Sequence, residues 1–305
     1  MRLKTLLYGI LGLLMMTSAF VWQGCYKFDG DQTIPAYLQI DSVSLTTNYS
    51  EEGANSAKIT DVWVYVDDGL IGVFELPALL PVLAQGKHKL EIRPGIKLNG
   101  ISSTRVPYPF YNPIVYTNFE FVPEQISDLK TISTTYYTDL SFQWMEDFEQ
   151  TALSFEELDI SDTVIKRTAP ANNPAAFLSP NSHYSGVISL TEEKPEYGGA
   201  SFNSFIMPKS QGAAVLLELD FKTNNAVTIG LLMRINNSFT EIPLVILGHN
   251  DEWTKIYINL GPNISLNSTA SDYKVIFRAG LGNDISNAEI LVDNIKIVSR
   301  QNSYE

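Results

Sequence analysis

Lys58–Glu75, KITDVWVYVDDGLIGVFE, is the stretch that decides the fold class. Val62, Val64 and Val66 alternate with Trp63 and Tyr65, which gives the segment two faces with a period of two. Asp67-Asp68-Gly69 then supplies turn chemistry, with Gly69 free to adopt a positive φ, and a second β-prone run follows. The pattern is a β-hairpin. Upstream, Ile34–Thr47 reads as a strand with Leu38 and Ile40 on one face. Its phase then moves to Val43 and Leu45, which predicts a bulge or bend. Downstream, Leu76–Leu83 holds Pro77 and Pro81, is a poor strand interior, and is expected to cross the sandwich edge. From Gly86, His88, Leu90 and Ile92 alternate with Lys89, Glu91 and Arg93 in a half-exposed strand that Pro94-Gly95 closes. Val106–Val122 is rich in aromatics and proline and is expected to pack along this sandwich. Residues 123–146 read as a linker, with Thr131–Thr138 fitting a strand of either half.

The second half repeats the β pattern at regular spacing. Strands are expected at Ser201–Met207, Ala213–Thr223, Val227–Ile235, Glu241–Leu247, Glu252–Leu260, Asp272–Ala279 and Ala288–Val298, with polar turns between them. Residues 156–201 carry few patterns and read as loop, punctuated by four prolines and Gly198-Gly199. The fold class is therefore all-β: two consecutive antiparallel β-sandwich domains, at residues 36–122 and 147–300. A chain of 305 residues suits two domains, and 45% hydrophobic with 18% charged residues is a globular composition.

The net charge is −13. Such a surface repels phosphate backbones, which argues against a nucleic-acid partner, and it is not drawn to anionic lipid by charge. The single cysteine excludes an intrachain disulfide and a Cys-based zinc site. His88, His183 and His249 stand in no zinc-binding spacing, and no G-x-S-x-G elbow is present. Four acidic pairs, Glu146-Asp147, Glu156-Glu157, Glu192-Glu193 and Asp251-Glu252, invite a glycoside hydrolase reading. Adjacent side chains on a strand point to opposite faces, however, so they do not converge by themselves. No catalytic residue is assigned.

Arg2 and Lys4 precede the apolar run Leu6–Trp22, and Gly24-Cys25 follows. This resembles the signal and lipobox of a Bacteroidetes-type outer-membrane lipoprotein, departing from it at Trp22 and Gln23. The resemblance implies a signal peptide at 1–24, lipidation of Cys25, a tether at 25–35, and an outer-membrane location facing the cell surface or the periplasm. A plain secretory signal and an uncleaved membrane helix are the alternatives. Asp41-Ser42-Val43 and Asp162-Thr163-Val164 match the short O-glycosylation pattern of such proteins, at Ser42 and Thr163.

Residues 36–122 resemble small immunoglobulin-like or transthyretin-like sandwiches. Residues 147–300 resemble galactose-binding-like jelly rolls of the carbohydrate-binding-module kind. The second resemblance is carried by Phe148-Glu149, the W-x-K-I-Y-I-N-L strand Trp253–Leu260 and the V-D-N-I-K-I strand Val292–Ile297. It implies a structural calcium ion between Glu149 and Asp293, and no other cofactor. Sugar rings stack on exposed aromatic faces, which makes Tyr184, Tyr197, Trp253 and Tyr257 the glycan-binding candidates. Trp253 and Tyr257 share one strand face and serve equally well as core, whereas Tyr184 and Tyr197 are expected to be exposed. The leading functional reading is a non-enzymatic accessory subunit that contacts other envelope proteins. The alternative is a surface glycan-binding lipoprotein, and the hydrolase comes third.

Overall fold

The computed structural model describes residues 34–177 and 179–301. The signal peptide, Cys25 and the tether up to residue 33 lie outside the described residues. The described chain is all-β, with twenty-one strands and two short helices, α1 (Tyr49–Glu52) and α2 (Gly261–Leu266).

The first sandwich holds β1 (Ala36–Ile40), β2 (Ser42–Thr46), β3 (Asp61–Val66), β4 (Gly69–Glu75), β5 (Ala78–Val82), β6 (Gly86–Lys97), β7 (Arg105–Pro107), β8 (Ile114–Phe121), β9 (Ile126–Asp128) and β10 (Thr131–Thr135). One layer joins the β5-β1-β9 sheet to the β10-β2 pair, and the other is β4-β3-β6-β7 with β8 also on β6. The phase shift at Asp41 is real: Leu38 and Ile40, then Val43 and Leu45, all point inward. The first three meet Val62, Val64, Leu80, Leu90 and Ile92 in one core, and Leu45 joins the cluster shared with the second sandwich.

Two expectations about turns and edges are corrected. The hairpin turn puts positive φ on Asp67 (48°) and Asp68 (65°), not on Gly69. Aspartate tolerates this region because its short polar side chain bonds locally, and here Asp67 accepts the Lys89 N–H at 3.0 Å. Ala78–Val82 is a strand, not a crossover, pairing antiparallel with β1. Pro81 is tolerated because β5 has no ladder partner on its other side.

The linker expected at 123–146 is also corrected. β9 and β10 add to β1 and β2 as parallel strands, so the first sandwich continues to Thr135. Leu140–Glu146 is already a strand of the second sandwich, which leaves only residues 136–139 between them.

That second sandwich holds β11 (Leu140–Glu146), β12 (Phe155–Glu157), β13 (Lys166–Thr168), β14 (Ser185–Thr191), β15 (Glu196–Ser201), β16 (Val215–Thr223), β17 (Val227–Ile235), β18 (Ser238–Leu247), β19 (Asn250–Asn259), β20 (Tyr273–Gly280) and β21 (Asn287–Arg300). One sheet runs β13-β14-β21-β16-β19, with β11 also on β21, and the other runs β12-β15-β20-β17-β18. The inner faces form a single core that includes Leu217, Leu219, Ile229, Leu231, Phe277 and Ile295. The strand expected at 201–207 instead runs Glu196–Ser201, through the glycines read as loop. A Cβ on Gly198 would stand 2.6 Å from Arg278 Nη1, and one on Gly199 2.1 Å from the Tyr197 hydroxyl. These glycines admit neighbours rather than break the strand.

Candidate functional site

The two sheets of the second sandwich meet different surroundings. In the six-stranded sheet, Leu216, Glu218 and Asp220 of β16, Lys255 and Tyr257 of β19, and Asn294, Lys296 and Val298 of β21 lie outside its own core. In an isolated sandwich they would meet water. Here the first sandwich covers them. Tyr108, Phe110, Tyr111 and Tyr136 pack with Leu216, Tyr257 and Val298 in one cluster that both halves share. The Leu98 and Tyr257 backbones form an isolated bridge.

Burial obliges each polar group there to find a partner. Glu218, fully buried, accepts a short hydrogen bond from the Tyr108 hydroxyl and another from the Tyr136 hydroxyl at 2.9 Å. Lys255 Nζ stands 3.4 Å from the same carboxylate, an ion pair without hydrogen-bond geometry. Asp220 accepts from Ser56 at 2.7 Å and from Asn294 at 2.9 Å. Lys296 Nζ donates to the Ala54 carbonyl at 2.6 Å, and the Tyr257 hydroxyl accepts the Lys58 N–H at 2.9 Å. Burial pushes the Lys296 ammonium down to about 8 and holds the Tyr108 and Tyr136 hydroxyls well above their ordinary range. This is a structural joint between modules, closed to substrate.

The four aromatic candidates do not form a platform. Tyr257 is 1% exposed within the joint, and Tyr197 is 2% exposed in the jelly-roll core, so the exposure expected of Tyr197 is corrected. Tyr197 lies inside because it belongs to β15, whose pleat turns it toward the opposite sheet. Tyr184 is half-buried, and the Arg167 guanidinium lies 3.3 Å from its ring centre, occupying the face a sugar would use. Trp253 shares the Tyr257 side of β19, as expected. Its indole N–H donates to the Ala175 carbonyl at 2.7 Å and its ring packs edge-on against Phe177.

Glu149 and Asp293 are brought to one loop. Glu149 accepts the backbone N–H groups of His183 (2.6 Å) and Tyr184 (2.9 Å), while Asp293 accepts the Ser182 hydroxyl at 2.7 Å and the Asn294 N–H at 2.7 Å. Burial, with Asp220 and Asp147 nearby, raises the Asp293 carboxyl well above the usual range. Among the described residues no three His, Cys, Asp or Glu side chains converge on a metal position. The two carboxylates clamp residues 182–184 through these bonds. Ser42 is exposed on β2, 2.8 Å from the Thr131 hydroxyl, and Thr163 is half-buried.

The five-stranded sheet turns an uncovered face outward. Register aligns Gly198, Arg278, Thr228 and Ile246 in one row across β15, β20, β17 and β18. Around this row lies an open trough of about 540 Å³ lined by Ile160, Glu196, Thr228, Glu241, Ile246 and Arg278. Arg278 meets Glu241 through Nη2–Oε2 at 2.7 Å and Nε–Oε1 at 3.2 Å, while its Nη1 is buried over Gly198 without a hydrogen-bond partner. Cationic, anionic and hydroxyl groups thus converge between two apolar walls. Thr228 and Arg278 were missed in the sequence, although the alternation in Val227–Ile235 and Asp272–Ala279 is a signal that could have set them on an outer face. Nothing in either strand alone aligned them with Glu241. A second groove of about 610 Å³, mainly apolar, opens between the modules, with Leu98, Val106 and Pro109 on one side and Leu216, Pro262 and Leu266 on the other.

No family model matches the chain, and no curated protein matches it. Among solved structures it is similar to a carbohydrate binding module of family 29, at 8% identity, with 53% of this chain and 89% of that chain covered and a TM-score of 0.32. It is similar to the CBM22-2 xylan-binding domain from Paenibacillus barcinonensis Xyn10C, at 14% identity, 51% and 98% coverage and a TM-score of 0.34. A family 11 module from Clostridium thermocellum, in complex with a beta-1,3-1,4-mixed-linked tetrasaccharide, gives 13% identity, 51% and 95% coverage and a TM-score of 0.33. At these values the ligands of those modules say nothing about a ligand here.

Proposed function

We propose that this chain is a non-catalytic glycan-binding lipoprotein of an outer envelope membrane, anchored through Cys25, with its ligand site in the trough of the five-stranded sheet. One observation carries the reading: of the jelly roll's two outward faces, one is sealed by the neighbouring module, and the free one carries a concave, polar-floored row centred on Arg278. Paired donors and acceptors of opposite charge suit a neutral ligand rich in hydroxyls better than an ion of either sign. An arginine paired with a carboxylate on the trough floor sets donors and acceptors side by side for neighbouring hydroxyls. Ile160 and Ile246 are placed to cover the apolar faces of sugar rings.

The test is affinity electrophoresis through gels containing neutral polysaccharides. Retardation of the protein that disappears in Arg278→Ala supports the reading, and free migration in every gel refutes it. The accessory-subunit reading is favoured by one observation of its own, the apolar groove between the modules. Affinity purification from solubilised outer membrane should then recover a stoichiometric partner that Leu266→Asp loses. Anchoring is tested separately, by metabolic labelling with a fatty-acid probe in wild type and Cys25→Ser. The O-glycans proposed at Ser42 and Thr163 would appear as added mass on peptides carrying those residues.

A further inference from the structure

The outer face of the three-stranded sheet β5-β1-β9 changes character along its length. At the end where the described chain begins, Ile34, Leu83 and Ile126 are each more than half exposed. Register sets Pro81, Tyr37 and Ile126 side by side across the three strands. Val122 adds to the same end, where the Glu124 N–H bonds to the Pro35 carbonyl. Toward the other end the face turns polar. Leu79, Gln39 and Asp128 form the next row, and Asp41 and Lys130 follow, with the Asp41 N–H bonded to the Lys130 carbonyl. A soluble protein seldom groups bare Leu and Ile side chains on one flat sheet without an occupant.

We infer that this apolar end rests on the bilayer that holds the lipid of Cys25, so the first sandwich touches the membrane surface rather than swinging above it. The inference rests on the reading of Cys25 as the lipidated residue. Only nine residue steps separate Cys25 from Ile34, a reach of at most about 30 Å. The apolar end is the part of the sheet where that tether enters, so it is the part that the tether delivers to the lipid. Charge gives no alternative attraction: the chain carries −13, and Glu124 stands exposed at the apolar end. Contact must therefore come from burying the apolar side chains at the headgroup boundary.

The experiment uses the full-length lipidated chain in phosphatidylcholine vesicles. Acylation consumes the only native thiol, so a cysteine introduced as Leu83→Cys, Ile126→Cys or Ile246→Cys is the one free site for a fluorescent label. Nitroxide-bearing lipids are expected to quench labels at 83 and 126 and to spare the label at 246, which is equally exposed but sits on β18 of the other module. Vesicle-bound protein with all three labels unquenched, or all three quenched alike, overturns the inference and leaves a protein as the occupant of the face. Protein that fails to float with the vesicles overturns the Cys25 reading itself, and the inference falls with it.

Discussion

The two sheets of the jelly roll are built from the same strand grammar and end in opposite roles. β16 alternates apolar residues with Glu218 and Asp220, and β17 and β20 alternate apolar residues with Thr228 and Arg278. Both patterns say that one face of the sheet is polar. Yet every residue of β16 except Lys222 is buried, whereas Thr228 and Arg278 remain open to solvent. The difference lies in what stands opposite. The polar side chains of the six-stranded sheet have partners in the first module, and those of the five-stranded sheet have only one another. A polar stripe on a strand can therefore be either a ligand face or half of a joint, and its companions decide which.

The sharpest way to break the comparison is to take the partners out of the joint. Glu218→Leu leaves two tyrosine hydroxyls without their acceptor and takes from Lys255 its nearer carboxylate, and the loss is expected to be about 3–5 kcal/mol. Urea titration should read that loss, and calorimetry should split one transition into two as the modules come apart. The pH response of the joint comes next. Lys296 has its ammonium lowered from 10.5 to about 8 in the folded state. The stability it contributes is present above pH 10.5 and is lost as pH falls through about 8, because the folded state resists the charge. Between pH 8 and 10, wild type should thus gain on Lys296→Met by up to about 2–3 kcal/mol, read as a widening difference in denaturation midpoint. An unchanging difference would mean that Lys296 stays charged in its place.

On the open face, Arg278→Ala should weaken glycan binding by about 1.5–3 kcal/mol, as loss of a charged hydrogen-bond donor does. It should move folding stability by no more than about 1 kcal/mol, because the Arg278–Glu241 pair is partly exposed. Binding and folding respond together only if the trough is a second structural joint. The smallest effect is expected at Asp293. Its raised carboxyl favours the protonated form in the folded state, so stability falls as pH rises from about 4 toward the raised value. Asp293→Asn should compare increasingly well with wild type as pH rises from about 4 toward that raised value, read as a narrowing difference in denaturation midpoint, and melting with and without millimolar calcium tests the ion. A calcium-dependent rise seen only in wild type would support the ion implied for Glu149 and Asp293.

Local alternation made most of the fold legible. It placed Val62 and Val64, Leu38 and Ile40, and the shift to Val43 and Leu45 correctly, because the pleat alone sets those directions. The strands at Val227–Ile235 and Ala288–Val298 were visible for the same reason. What local pattern could not supply was pairing between distant segments. β9 and β14 lie in stretches without a strong pattern of their own, and their strand state comes from ladders with β1 and β21; Thr131–Thr138 fitted a strand, but only its ladder with β2 assigns it to the first sandwich. The site candidates suffered from the same gap. Tyr257 does point away from the jelly-roll core, but no feature of its strand reveals that Tyr108 and Tyr111 wait on the other side. Tyr184 carries no sign of Arg167, seventeen residues earlier, stacking on its ring.

The joint also has a mechanical meaning. Two modules held by hydrogen-bonded tyrosines, a buried carboxylate and two buried lysines do not hinge as beads on a string would. If the first module stands on lipid, the trough on the second is kept at a set height above the bilayer and at a set tilt. Such a mast would offer its cargo to neighbouring molecules from a constant position, whatever the lipids beneath it are doing.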